Sequence, residues 1–318
     1  MPDPDASAGL SQALVPALAL LLAWGLDLAF GEPPNALHPV AWLGRVAGPV
    51  GERLKRWPPV LALVGGALAW WAMALGLGGG AWALQSAWVS RLPVWTAVPV
   101  LALLLKPTFA WRMLRDEVAA VERALGPGDD LPAARAHLRR LVSRDVSGFG
   151  AGPVRETVIE TLAENLGDSL IGPLAWYALA GLPGAVVYRM ANTLDAMWGY
   201  RGEWEWAGKW AARADDVLSW VPQRLAAVLL LGPAAGVTAW RTLRRVARAA
   251  PSPNGGWPMG AMALRLGVRL GKPGVYVLNE GAAVPGAGHV ARALRQAGHA
   301  AWAGALLAVL ACAARALP

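Results

Sequence analysis

The sequence predicts an all-α, polytopic membrane protein with broken or re-entrant helices and a cytoplasmic amphipathic-helical subdomain. Composition points there first: 56% of the 318 residues are hydrophobic, only 16% are charged, and the mean hydropathy is +0.38, well off the balance of a soluble domain. Several apolar runs approach the about 20 residues that a helix needs to cross the hydrocarbon core. Between 106 and 165, charged and apolar residues instead interleave at helical spacing, which describes helices with one wet face.

The first element, Leu10 to Phe30, has spanning length. Asp3 and Asp5 precede it and no Lys or Arg does, so it lacks the basic start of a signal peptide and is expected to stay in the mature protein. It ends in the uncommon segment LDLAFGEPPNALHPVAWLGR (26 to 45). Apolar runs over 58–77 and 92–105, with a turn at Gly78 to Gly80 and a brief loop between them, predict a transmembrane hairpin. Together these make an N-terminal membrane region, 1–105.

Residues 106–168 form the predicted cytoplasmic subdomain. Arg112, Arg115, Asp116, Glu117, Glu122 and Arg123 alternate with Trp111, Leu114, Val118, Val121 and Leu125 as on an amphipathic helix. Residues 126–130 break it, and Pro132 and Pro153 suit the first turns of two further helices, where a missing N–H costs nothing. In 169–240, two apolar stretches are interrupted by Gly172-Pro173, Leu182-Pro183-Gly184 and Gly232-Pro233. If each crosses once, Asn192 to Asp216 faces the opposite side from Arg144 to Asp168. If both are broken or re-entrant, the polar clusters share a side or meet in a cavity, and this convergence is the favoured expectation. Residues 241–318 form a second cytoplasmic segment with a Gly- and Pro-rich middle, closed by a short helix over 298–318.

The charge balance is 29 Lys plus Arg against 21 Asp plus Glu, a net +8, with pI near 10.3. The clusters Arg45, Arg53, Lys55, Arg56 and Arg241, Arg244, Arg245, Arg248 predict cytoplasmic anchoring on anionic membrane lipid, not nucleic-acid binding. The 18 Trp suit interfacial belts. A single cysteine, Cys312, excludes internal disulfides and a Cys-based zinc cage, and the four His stand at no ligand spacing.

Five polar clusters interrupt this greasy chain between 143 and 259: SRDVSG, ETLAENLGDS, NTLDAMWGYR, ARADD and SPNGGWPM. Polar groups beside bilayer-grade sequence are costly to desolvate unless paired, hydrated or bound to an ion or substrate, so they are candidates for chemistry. Glu156, Glu160, Glu164 and Asp168 recur every fourth residue and line one helical stripe. Their mutual repulsion, about 0.2–0.5 kcal/mol per pair, would be relieved by a divalent cation or an arginine cluster. Oxygen donors without His or Cys point to Mg2+, with Glu160, Glu164 and Asp168 as ligands; a solvated acidic face is the competing reading. Asn192 and Asp195, then Arg201, and Arg213 with Asp215 and Asp216, make either an ion-pair network or a second metal or phosphate site. Arg144 and Asp145 precede a Ser147-Gly148 loop able to approach a phosphate. The loop Ser252, Pro253, Asn254, Gly255, Gly256 before a helix is either an anion cradle or a plain connector. There is no GxxxxGK[ST] P-loop and no Ser/His/Asp set at recognisable spacing.

Taken in order, DLAFGEPPNALHPVAWLGR (27–45), LVSRDVSG (141–148), ETVIETLAENLGDSLIGPL (156–174), NTLDAMWGYR (192–201), ARADDVLSWVPQRL (212–225) and SPNGGWPM (252–259) resemble the adenosylcobinamide-phosphate synthase family, the CobD/CbiB type of cobalamin biosynthesis membrane protein. The resemblance implies a multi-pass protein of the cell inner membrane, with its active site facing the cytoplasm. It implies ATP- and Mg2+-dependent amide ligation of aminopropanol, free or O-phosphorylated, to a propionate side chain of adenosylcobyric acid. Amide formation from a carboxylate needs activation, most simply as an acyl phosphate, with Mg2+ bridging the nucleotide phosphates. On that reading Arg144, Arg201 and Arg213, with Asn254, are candidates to hold the phosphates of ATP or aminopropanol phosphate. Asp195, Asp216 and Glu164 are candidates to take the amine proton. Expected partners are the two substrates, membrane lipid and other corrinoid-pathway membrane enzymes. Two other classes stay open: a Mg2+-dependent membrane transferase acting on a lipid or prenyl diphosphate, which would need no ATP, and a non-enzymatic transporter or sensor.

Overall fold

A computed structural model describes residues 11–126, 130–232 and 235–316. The expected helix start at Leu10, the acidic Asp3 and Asp5, residues 127–129 of the first break, Pro233 and the last two residues of the closing helix lie outside these. In chain order the first helices are α1 (Val15–Phe30), α2 (Pro39–Leu54), α3 (Pro59–Ala83), α4 (Val94–Leu105), α5 (Trp111–Ala124) and α6 (Leu131–Leu138). Then come α7 (Ala151–Leu166), α8 (Gly172–Trp198), α9 (Lys209–Leu218), α10 (Trp220–Leu231), α11 (Val237–Ala247) and α12 (Gly256–Leu266). A two-stranded antiparallel hairpin, β1 (Leu270–Lys272) and β2 (Tyr276–Leu278), precedes the closing helix α13 (His289–Ala314).

Among the described residues the fold is all-α apart from that hairpin, and the protein is a membrane protein. Three helical stretches among the described residues are long and apolar enough to cross a membrane: Pro59–Arg91, Ala151–Trp198 and His289–Ala314. A fourth is possible if Val94–Thr108 and Trp111–Ala124, bent by 41°, count as one broken span. On α3 the apolar side chains face outward, with Val60, Leu68 and Leu75 all about two-thirds exposed, a distribution that only lipid can cover at low cost. Trp82, Trp88 and Trp95 are likewise exposed around the turn between α3 and α4, where interfacial indoles are expected. α1 itself counts 16 residues, and residues 11–13 just ahead of it are helical as well.

The chain forms two compact units, each drawn from separate stretches. One comprises Met1–Ala110, Gly172–Leu218 and Ala305–Pro318; the other comprises Trp111–Ile171 and Ser219–Gly304.

In the first unit, α1 packs on α4, and α8 packs on α2, α3 and α9. The expected turn at Gly78 to Gly80 is absent: α3 runs through it and continues by a π-turn, Leu84–Trp88. Gly78 serves packing instead, since a Cβ there would lie 2.8 Å from the Val187 side chain on α8. The break expected near Pro183 is real. Gly181 has φ 69° and ψ −158°, outside the helical region and affordable only to glycine. The N–H of Leu182, freed by the break, donates to Gln85 Oε1 at 2.6 Å, as a buried amide requires. The segment 26–45 also gains a reason. Asp27 is fully buried and lies 3.1 Å from Lys106 Nζ, which also pairs with Glu32, and Glu32 Oε2 lies 2.5 Å from His38 Nε2. A buried ammonium is thus compensated by two carboxylates.

In the second unit, α5 buries Trp111, Leu114, Val118 and Val121, the predicted apolar stripe. Asp130 caps α6, its Oδ1 accepting from the Ala133 N–H at 3.0 Å, with Pro132 in the first turn. α7 is buried on nearly every side, from Val154 to Leu166. It ends in a π-turn, Gly167–Ile171, just where Pro173 can offer no N–H to the carbonyl four residues back. α12 packs on α7, α10 and α11. Close approach to α11 depends on two small residues, because a Cβ on Gly256 would overlap the Ala247 carbonyl and one on Gly260 would press on Leu243 at 3.1 Å.

Candidate functional site

Three of the five polar clusters meet within the second unit. Ser143 and Arg144, then Glu160, Thr161, Glu164 and Asn165 from α7, and Pro251 and Ser252 from the loop before α12, line one cavity of about 350 Å³. The hairpin closes it with Lys272, Val275 and Tyr276.

The acidic stripe is not a solvated face. Glu156 and Glu160 are only 8% and 4% exposed, so their charges must be compensated inside the protein. Glu160 is clasped on both oxygens: Arg144 Nη2 donates to Oε2 at 2.9 Å, and the Tyr276 hydroxyl donates to Oε1. One turn earlier Glu156 faces Arg269, whose Nε lies at 3.7 Å. Glu164, one turn later, lines the cavity beside Asn165, which donates Nδ2–H to the Thr161 carbonyl at 3.0 Å.

Asp168 leaves the stripe. The π-turn replaces the α register at this point, and the Asp168 carboxylate accepts from Gln223 Nε2 on α10 instead of joining Glu160 and Glu164 at the cavity. Among the described residues no group of three or more His, Cys, Asp or Glu is placed to hold a metal ion. Of the acids that face the cavity, Glu160 has both oxygens engaged by Arg144 and Tyr276, so Glu164 is the carboxylate there that could hold Mg2+, an ion that commonly takes one or two carboxylates and fills its shell with substrate phosphates and water.

One atom in this cluster is conspicuous. Arg144 Nη1 is buried and has no hydrogen-bond partner. An unmet donor of this kind costs on the order of 1–3 kcal/mol, more for a charged group, unless a ligand oxygen meets it.

Asn254 is buried and accepts from Arg224 Nη1 at 3.1 Å, so it orders the loop and does not line the cavity. The loop is a Ser turn: Ser252 Oγ accepts from the N–H groups of Asn254 and Gly255, each at 3.2 Å.

The two remaining clusters belong to the first unit. Asp195, near the end of α8, is close enough to Asp216 on α9 for their charges to interact. Burial raises the Asp216 carboxyl above its ordinary value despite Arg213, whose Nη1 lies at 3.4 Å. Arg213 is largely exposed, and Arg201 is exposed in the loop after α8. The candidate site residues therefore sort into two groups: Arg144, Glu160 and Glu164 in one unit, and Asp195, Arg201, Arg213 and Asp216 in the other.

Sequence reasoning passed over Lys272 and Tyr276. A signal was present. Pro273-Gly274 is a turn dipeptide, Gly274 has φ 72°, and Val275 N–H returns to the Lys272 carbonyl at 2.9 Å, so flanking residues of opposite strands were due to pair as Lys272 and Tyr276 do.

The family model described as CobD/Cbib protein matches residues 20–313. The chain belongs to the CobD/CbiB family. A probable cobalamin biosynthesis protein CobD of Thermococcus kodakarensis is 42% identical over 271 residues, covering 83% of this chain and 84% of that protein. The cobalamin biosynthesis protein CobD of Dehalococcoides mccartyi is 37% identical over 270 residues, 83% of this chain and 86% of that one. The cobalamin biosynthesis protein CbiB of Salmonella typhimurium is 37% identical over 268 residues, 81% and 83% respectively. No solved structure matches the chain. The matched span of the family model includes both groups of candidate residues.

Proposed function

We propose that this membrane protein serves cobalamin biosynthesis as a ligase, joining aminopropanol or its O-phosphate to a propionate side chain of adenosylcobyric acid with ATP and Mg2+. Family membership supports the pathway; the observation that carries the site is the buried, partnerless Arg144 Nη1 beside Glu160, Glu164 and Tyr276 in one cavity. A guanidinium N–H left without a partner there calls for an anionic oxygen, such as a propionate carboxylate or a phosphate.

A carboxylate oxygen attacks the γ-phosphorus of ATP and ADP leaves. The amine nitrogen then attacks the acyl carbon, loses a proton to a protein carboxylate, and inorganic phosphate leaves. Mg2+, when bound, neutralises charge on the transferring phosphoryl group. Arg144 orients the acid being activated, with Lys272 at the cavity rim as a second cation. Glu160 is held rigid by two partners and serves as a fixed anion, whereas Glu164 is the cavity's candidate proton acceptor. Asp195 and Asp216 stand in the proposal as a second pair of acids, with Arg201 and Arg213 as phosphate ligands. A cavity of about 350 Å³ suits the reacting ends of the substrates and not a corrin macrocycle, which has to stay outside it. Such a ligase would act at the inner membrane with this cavity on the cytoplasmic side, where ATP is available.

The test is mass spectrometry of the products after the purified protein meets adenosylcobyric acid, aminopropanol phosphate, Mg2+ and ATP. Condensed corrinoid and ADP are expected from wild type and not from Glu164→Gln or Asp195→Asn. Folded wild type giving no condensed product would refute the ligase reading and favour a lipid or prenyl diphosphate transferase.

A further inference from the structure

A second concave site lies in the same unit, on residues the ligase reading does not use. Trp220 and Arg224 from α10, Arg244 and Arg248 from α11 and the residue after it, and Pro253 and Trp257 line an open cleft of about 450 Å³. Its lining carries three guanidiniums and no acid.

Arg224 is built in, not waving in solvent. Its guanidinium carbon sits 4.1 Å from the Trp220 ring centroid and 4.8 Å from that of Trp257, within cation–π reach of both indoles. Nη1 donates to the Trp220 carbonyl at 2.6 Å and to Asn254 Oδ1 at 3.1 Å, and Nη2 donates to the Pro253 carbonyl at 3.4 Å. Those bonds hold the plate but bring no negative charge. Arg244 and Arg248 stand one turn apart and so share a face of the helix. With α11 held close to α12 at Gly256 and Gly260, they line the same cleft as Arg224. Among the described residues none of the three arginines has a carboxylate within ion-pair distance, although other surface arginines, such as Arg112, Arg115 and Arg140, do.

Three like charges held around one cleft repel each other unless an anion sits among them. Monovalent chloride would meet little of the geometry. Planar guanidinium forks match phosphate oxygens two at a time, and the half-exposed Trp220 indole offers an apolar face beside them. We propose that this cleft seats a phosphate-bearing ligand, its phosphate oxygens bridged by Arg244 and Arg248 with Arg224 fixed behind them.

Two sources carry that chemistry: a nucleoside triphosphate and an anionic phospholipid headgroup. The loop before α12 borders both sites, with Pro251 and Ser252 lining the candidate active cavity and Pro253 lining the cleft. That juxtaposition favours the nucleotide, an identification that rests on the ligase reading; the phosphate site itself does not.

Binding, not turnover, tests it. Wild type, Arg244→Gln/Arg248→Gln and a charge-matched control, Arg241→Gln/Arg265→Gln, are compared in two arms. One measures binding of radiolabelled ATP with Mg2+ by equilibrium dialysis of detergent-solubilised protein. The other measures, by native mass spectrometry, retention of phosphatidylglycerol over phosphatidylcholine after release from mixed nanodiscs. A tenfold or greater loss of ATP binding in the first pair, absent from the control, establishes a nucleotide seat. The same loss confined to phosphatidylglycerol retention establishes a headgroup seat. Equal behaviour of all three proteins in both arms, with unchanged thermal unfolding, overturns the proposal. ATP binding that persists where no condensed corrinoid forms would separate failure of the ligase reading from failure of this one.

Discussion

Arg144 holds Glu160 at 2.9 Å inside the second unit, with side chains only 16% and 5% exposed. A pair this buried gains little net stability from forming, because desolvation offsets the attraction, but losing one member strands the other. Glu160→Ala is therefore expected to destabilise the protein by about 3–5 kcal/mol, and Arg144→Met/Glu160→Met to recover most of that loss. Thermal unfolding in detergent measures both; a double variant as unstable as the single one would mean that the pair's geometry, not its charge balance, supports the fold.

Acid should weaken the first unit through Glu32. Burial alone would raise its carboxyl, but the hydrogen bonds and charges of His38 and Lys106 outweigh that and hold it below its ordinary value. A depressed folded-state pKa stabilises at pH above the unfolded-state value, about 4.3, and that contribution is lost as pH falls through the folded value. The carboxylate's share of the stability gap between wild type and Glu32→Gln should thus shrink as pH falls below about 4.3. A gap that widened on acidification would contradict the assignment.

Helix existence was legible in the sequence because it rests on local signals: apolar run length, the spacing of Leu114, Val118 and Val121, and the prolines at first turns. The misplaced elements were those decided by distant partners. The run Gly78 to Gly80 resembles a turn until Val187 packs against Gly78. The site was half legible for the same reason. Arg144, Glu160 and Glu164 announce themselves as polar residues in apolar sequence, whereas the pairing of Tyr276 with Glu160, 116 residues apart, has no local trace. Asp168 lost its place to a one-residue change of helical register that periodicity could not foresee.

The glycines offer a contrast between packing and propensity. A Cβ on Gly256 would meet the Ala247 backbone carbonyl, which cannot swing aside, while one on Gly79 would meet nothing within 4 Å. Gly256→Ala should cost about 1–3 kcal/mol, the usual range for overpacking. Gly79→Ala, in a helix interior, should be neutral or stabilise by up to about 1 kcal/mol. Melting temperatures of the two variants check the opposite signs.

Tyr276 provides the sharpest test of the candidate cavity, because its removal subtracts one hydroxyl and little volume. Burial, reinforced by the charge of Glu160, pushes the phenol well above its ordinary value, so Tyr276 is a hydrogen-bond donor at every working pH and never a base. A raised folded-state pKa favours the protonated form: its stabilising effect is complete below the unfolded-state value, about 10, and lost only above it. The pH–rate profile of the proposed ligation should accordingly show no tyrosine limb below about pH 10. Tyr276→Phe leaves Glu160 Oε1 without its donor while Arg144 keeps Oε2. The expected stability cost is about 1–3 kcal/mol, smaller than for Glu160→Ala because no charge is stranded. If the hydroxyl only positions Glu160, kcat should fall while KM for adenosylcobyric acid stays within about threefold; a rise in KM with kcat unchanged would instead make Tyr276 a direct substrate contact.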